Sequence, residues 1–139
     1  MNLQQIKSRF MAMRNGIVAD ALRKGGMPHK VIFGLNVPQL SEIAASVISD
    51  REVLAEQLWA DREVRESRLL ACWLFDPTVM PEQRARMLID EVRTREEADI
   101  LAFRTLRRLP YARALLESLT GDDGSYPSYA AEALARNLA

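Results

Sequence analysis

HKVIFGLNVPQL, residues 29–40, is the stretch whose reading decides the fold. It interrupts a chain in which apolar residues otherwise recur at helical spacing. Val31-Ile32-Phe33 is the one candidate for an extended strand, but it is short, and no later segment offers it a partner. Gly34 permits a turn, and Pro38 suits the first turn of a helix. The stretch therefore reads as a structural turn, with Ile32 and Phe33 plugging the junction. His29 is the only histidine in the chain. No second histidine or neighbouring acid suggests a metal or a triad, so it reads as a surface or capping residue.

Upstream, Leu3, Ile6, Phe10, Met13, Ile17 and Ala21 line one face of a helix running to about Lys24. Gly16 weakens it, and Gly25-Gly26 ends it. Downstream, Pro38 opens a helix with Leu40, Ile43, Ala44 and Val47 inward. Ser49-Asp50 caps a short helix carrying Leu54, Leu58 and Trp59. Asp61 caps a helix over residues 62–75, which Asp76-Pro77 ends. Pro81 starts a helix to about Val92, with Met87, Leu88 and Val92 inward. Thr94-Arg95-Glu96-Glu97 has the capping-box pattern and opens a helix over 94–109. Pro110 ends it, a helix over 111–119 follows, and Gly121-Asp122-Asp123-Gly124-Ser125 turns into a last helix over 128–138. About eight helices joined by short loops give an all-α class. Periodicity leaves a compact bundle and a stacked array of helix pairs level.

At 139 residues the chain is read as one domain, residues 1–139. Its formal net charge is zero, which removes overall positive charge as an argument for nucleic-acid binding but leaves local patches open. Residues 1–30 hold six Lys/Arg against one acid, and arginine makes up sixteen of the nineteen basic residues. That favours bidentate pairing with carboxylate or phosphate. A single cysteine, Cys72, excludes an internal disulfide and a common zinc site. With no secretory h-region and no long apolar run, the expectation is a cytoplasmic protein without a membrane partner, cofactor or metal.

FGLNVPQL (residues 33–40), then Leu58-Trp59, then RESRLLACWLFDP (residues 65–77) form an order that resembles the DNA alkylation repair family of the AlkD type. Its members show an aromatic-Gly-hydrophobic-x-x-Pro-x-Leu turn, a Leu-Trp pair, and a helix in which Glu and Arg precede a run of leucines and alanines. The resemblance spans residues 3–109. It implies a right-handed superhelix of antiparallel, HEAT/armadillo-like helix pairs with a basic DNA-binding face, and no metal. It also implies a tryptophan and, one turn later, an aspartate that stabilise an alkylated purine as it leaves its sugar. Asp99 falls at the aspartate's position, which makes it the catalytic candidate. Arg95 stands where the tryptophan would be, placed at i and i+4 to pair with Asp99. The chain reads as a shortened member, since active relatives run well beyond this length. The resemblance thus implies a double-stranded DNA binder with weak or no glycosylase activity. The alternative is a non-enzymatic protein-interaction scaffold.

On the wheel of that helix, Phe103 and Leu106 flank Asp99, while Arg104, Arg107 and Arg108 gather on the other side. Those three arginines form a candidate phosphate-contacting stripe; the competing reading pairs them with Asp90 and Glu91. Lys7, Arg9, Arg14, Arg23, Lys24 and Lys30 form a second basic group that shares no single helix face. Trp59, Trp73 and Cys72 read as core. Glu96, Glu97 and Asp99 are acids that a helix N-terminus favours, which is a simpler reading than a metal site.

Overall fold

The computed structural model describes all residues, Met1–Ala139. The chain is all-α: α1 Leu3–Ala12, α2 Gly16–Lys24, α3 Val37–Ser46, α4 Arg51–Ala60, α5 Arg65–Leu74, α6 Glu82–Glu91, α7 Arg95–Arg104, α8 Ala112–Leu119 and α9 Tyr129–Leu138, with one 3₁₀ turn at Leu106–Arg108. No helix is long and apolar enough to cross a membrane. Internal contacts divide the chain into two compact units, Met1–Phe75 and Asp76–Ala139.

In the first unit, α4 and α5 form the most extensive helix pair, and α3 packs on α5. Their core is Leu40, Ile43, Leu54, Leu58, Trp59, Leu69, Leu70 and Leu74, all nearly inaccessible to water. The single N-terminal helix expected to reach Lys24 is instead two. The chain leaves helix after Ala12, and Asn15 restarts it as the N-cap of α2, its side chain accepting from the Ile17 and Val18 amides. Side-chain capping by Asn offers the backbone an alternative to continued helix. Ile17, assigned to the buried face, is 85% exposed as a result.

The 29–40 stretch is a turn, as its glycine and proline suggest, but Val31 does find a partner. Its amide donates to the Glu63 carbonyl at 2.9 Å, and its carbonyl accepts from the Arg65 amide at 3.1 Å. This makes one isolated parallel bridge between Val31 and Val64. The bridge holds residues 63 and 64 out of the helix, so α5 begins at Arg65 rather than at 62. His29, expected at the surface, is buried, 1% exposed, and its carbonyl accepts from Arg23 at 3.1 Å.

What fixes the turn is Glu66, in the first turn of α5. Its carboxylate accepts the amides of Phe33 and Gly34, each at 3.0 Å, and of Leu35 at 3.4 Å. Arg65 pairs with it at 2.5 Å and also donates to the Leu35 carbonyl. Both charged side chains are buried. Burying a charge is tolerable only when it is paired and its remaining capacity for hydrogen bonds is filled, and both conditions are met here. Gly34 is the residue that lets the loop approach this closely. It has φ +84°, and a Cβ there would lie 2.4 Å from the Asn15 carbonyl oxygen.

In the second unit, α7 and α9 make the principal contact, and α8 packs beside α9. Leu101, Ala102, Leu106, Leu115, Ala131 and Leu134 are among its fully buried residues. Thr94 caps α7 by accepting the Glu97 amide. The Glu97 carboxylate reaches past the capping residue to the Arg93 amide at 2.9 Å. The helix stops at Arg104, earlier than the sequence suggests, and Leu106–Arg108 tightens into the 3₁₀ turn. Met87, assigned inward, is half exposed, while Leu88 is buried.

Candidate functional site: an exposed arginine and aromatic face on α7

Arg95, Asp99, Phe103 and Arg107 are exposed positions four residues apart along α7 and the 3₁₀ turn that follows it. They form the solvent side of a helix whose other side, Ala98, Leu101 and Ala102, is core. Two clusters lie along this stripe.

The first is built on Asp99. The expected Arg95–Asp99 pair does not form. One oxygen of Asp99 meets Arg136 of α9 at 3.1 Å, and the other accepts the Tyr129 hydroxyl at 3.2 Å. Arg95 lies over the Tyr129 ring, 4.9 Å from its centroid, and Arg136 sits 5.1 Å from the same ring. The sequence order is part of the reason, since a cation N-terminal to its acid is the weaker arrangement on a helix. The larger part is tertiary: α9, thirty residues on, brings both an aromatic ring and a competing cation. Asp99 was also placed toward an apolar face beside Leu106, whereas its side chain is half exposed and Leu106 is buried. Chemically, the carboxylate is already neutralised. The one aromatic ring beside it already carries two guanidiniums, which would repel a cationic base seeking the same surface. A cleft of about 230 Å³, lined by Arg93, Arg95, Ser128 and Tyr129, opens alongside.

The second cluster is built on Phe103, 44% exposed. The guanidinium of Arg107 lies 4.0 Å from its ring centroid and that of Arg104 lies 5.3 Å away. Arg107 Nε also donates to the Phe103 carbonyl at 2.6 Å. The structure thus brings Arg104 and Arg107 to one ring, although α7 ends between them. Partial burial holds the Arg104 pKa below its usual value, and the charges of Arg107 and Arg108 lower it further. No acid occurs between Asp99 and Glu117, a segment that also contains Arg113. Of the two acids offered as partners, Glu91 is engaged by Arg84 at 3.3 Å.

The N-terminal basic group does not converge on a site. Lys7 pairs with Asp61 at 3.2 Å, Arg9 with Glu42 at 4.0 Å and Lys30 with Glu63 at 3.9 Å. Arg14 and Arg23 donate to backbone carbonyls. Trp59 and Cys72 are core, as expected. Trp73 is half-buried and donates its indole N–H to Ser41 at 3.1 Å. No group of three or more His, Cys, Asp or Glu side chains converges in a metal-binding arrangement. Sequence reasoning missed Tyr129 and Arg136 altogether; both lie in the last helix, where only their contacts reveal a role. It also assigned no task to Glu66, although that acid stands within the quoted RESR motif.

The fold and this face define an all-α protein of packed helix pairs with an exposed basic and aromatic helix edge. The family model described as DNA alkylation repair enzyme matches residues 6–131, and the chain belongs to that family. No curated protein and no solved structure matches it.

Proposed function

We propose that this chain binds DNA in alkylation repair through Arg104, Arg107 and Arg108. Asp99 lies at the edge of that surface as a base-recognition group, and glycosylase activity is weak or absent. The observation that carries the reading is the packing of Arg104 and Arg107 on the exposed Phe103 ring, with Arg108 next in sequence, in a segment without acids. A positive cluster of this kind attracts a polyanion such as the phosphate backbone. Family membership supports the connection to repair. The state of Asp99 argues for recognition over catalysis: to stabilise a developing cation, its carboxylate would have to leave Arg136, with Arg95 still beside it.

The test is fluorescence anisotropy across a salt series, with a short duplex either intact or carrying an abasic-site analogue. Three phosphate contacts give log Kd a dependence on log salt of about 2.7, and replacing all three arginines by alanine removes it. Tighter binding at the lesion is expected. Absence of binding at low salt would overturn the reading and leave the protein-interaction scaffold in its place.

A further inference from the structure

We infer that the Phe103 face takes nucleic acid with unpaired bases in preference to intact duplex, one base stacking against Phe103 while the arginines hold the flanking phosphates. The inference rests on the arginine reading above and adds the class of nucleic acid. Phe103 differs from the other large apolar residues of its segment. Leu101 and Leu106 are 0% exposed, whereas Phe103 is 44% exposed. A large ring left in water at the centre of a positive cluster is poorly explained by phosphate binding alone, because phosphates need only the guanidiniums.

The arrangement suits a stacking surface. Arg107 lies against the ring and is tied to the Phe103 carbonyl, so a planar cation and an aromatic ring are held together before any ligand arrives. Bases and guanidinium or phenyl planes stack regardless of sequence, since every base has a π-face. In an intact duplex those faces are covered by neighbouring bases, so Phe103 could reach only base edges, sugar and backbone. An unpaired base offers the face. Beside Arg107 the surface continues into a cleft of about 300 Å³ that Arg113 and Tyr111 also line, which gives room for an adjoining nucleotide and a further cation for its phosphate.

The experiment compares a labelled oligothymidylate with a duplex of equal length at matched salt, using the full chain and its F103A, F103W and R107A variants. Oligothymidylate should bind more tightly than duplex. F103A should weaken oligothymidylate binding by about five- to a hundred-fold, the range for one lost base stack, and leave duplex binding nearly unchanged. F103W should retain binding, and its added emission should be quenched by oligothymidylate. R107A should weaken both ligands. Tighter binding of duplex, with F103A affecting both ligands equally, would overturn the stacking inference while leaving the arginine reading intact. No salt-dependent binding to either ligand would overturn both and direct attention to an acidic protein partner.

Discussion

The amide of Gly34 donates to the carboxylate of Glu66 at 3.0 Å, across 32 positions of sequence. Phe33 and Leu35 donate to the same group, so one buried acid fixes three consecutive amides of the loop against the start of α5. The acid also sits where the positive end of the α5 dipole favours it. This contact joins two sequence motifs that carry the family resemblance, the FGLNVPQL turn and the RESR helix start.

Glu66→Ala is expected to lower the stability of the protein by about 3–5 kcal/mol, because it leaves Arg65 and three amides buried without their acceptor. Glu66→Gln should cost less, since an acceptor oxygen remains, but it should still destabilise because the charge is lost. Urea unfolding followed by the fluorescence of Trp59 and Trp73 reads both. Equal stability of all three proteins would show that the latch contributes nothing.

Two glycines separate backbone strain from collision. Gly26 has φ +101° with open space around its Cβ position, whereas Gly34 has φ +84° and a Cβ would strike Asn15. Gly26→Ala should cost about 1–2 kcal/mol from conformation alone. Gly34→Ala should cost clearly more, as thermal unfolding would register.

Arg107→Ala should reduce the salt dependence of nucleic-acid binding by about one ion, the signature of one lost phosphate contact. Lys30→Ala, at a residue paired with Glu63, should leave the slope unchanged. Equal slopes for wild type and Arg107→Ala would remove Arg107 from the interface.

Asp99→Asn removes an ion pair whose side chains are 50% and 55% exposed. Stability should move by no more than about 1 kcal/mol. Affinity for intact DNA should hold or rise, because a negative charge beside the basic face is gone, whereas the preference for the lesion should fall. Release of alkylated base from duplex that depends on Asp99 would instead assign it a catalytic role.

Asp76 accepts the Thr78 hydroxyl at 2.6 Å and the Thr78 amide at 2.9 Å. These bonds, hydroxyl first, hold its pKa below the usual carboxylate value; partial burial opposes them, and the charge of Arg108 adds a smaller lowering. A group depressed in the folded state contributes stability above its unfolded pKa, about 3.9, and loses it as pH falls through the folded value. Thr78→Val should therefore raise the Asp76 pKa toward about 3.9 in an NMR titration, and narrow the stability difference between neutral and acid pH. An unchanged titration would refute the role of the hydroxyl.

The sequence by itself determined the all-α class, the turn at Gly34 and Pro38, the Thr94 cap and the stop before Pro77. Each depends on local backbone chemistry or helical periodicity, and both are written in neighbouring residues. It also carried the family, through the order of its motifs. It did not reveal the break at Asn15, because the apolar spacing of Leu3 through Ala21 runs straight through it. Only the tertiary structure decided the fate of the charges. Asp99 found Arg136 and Tyr129 rather than Arg95, and Glu66 found the amides of residues 33–35. An ion pair or a buried acid is settled by what the packing of distant helices brings within about 3 Å, where desolvation and competing partners outweigh i,i+4 proximity. The same holds for Phe103. Its helical phase is legible in the sequence, but whether its side of the helix would be covered depended on where α9 packs.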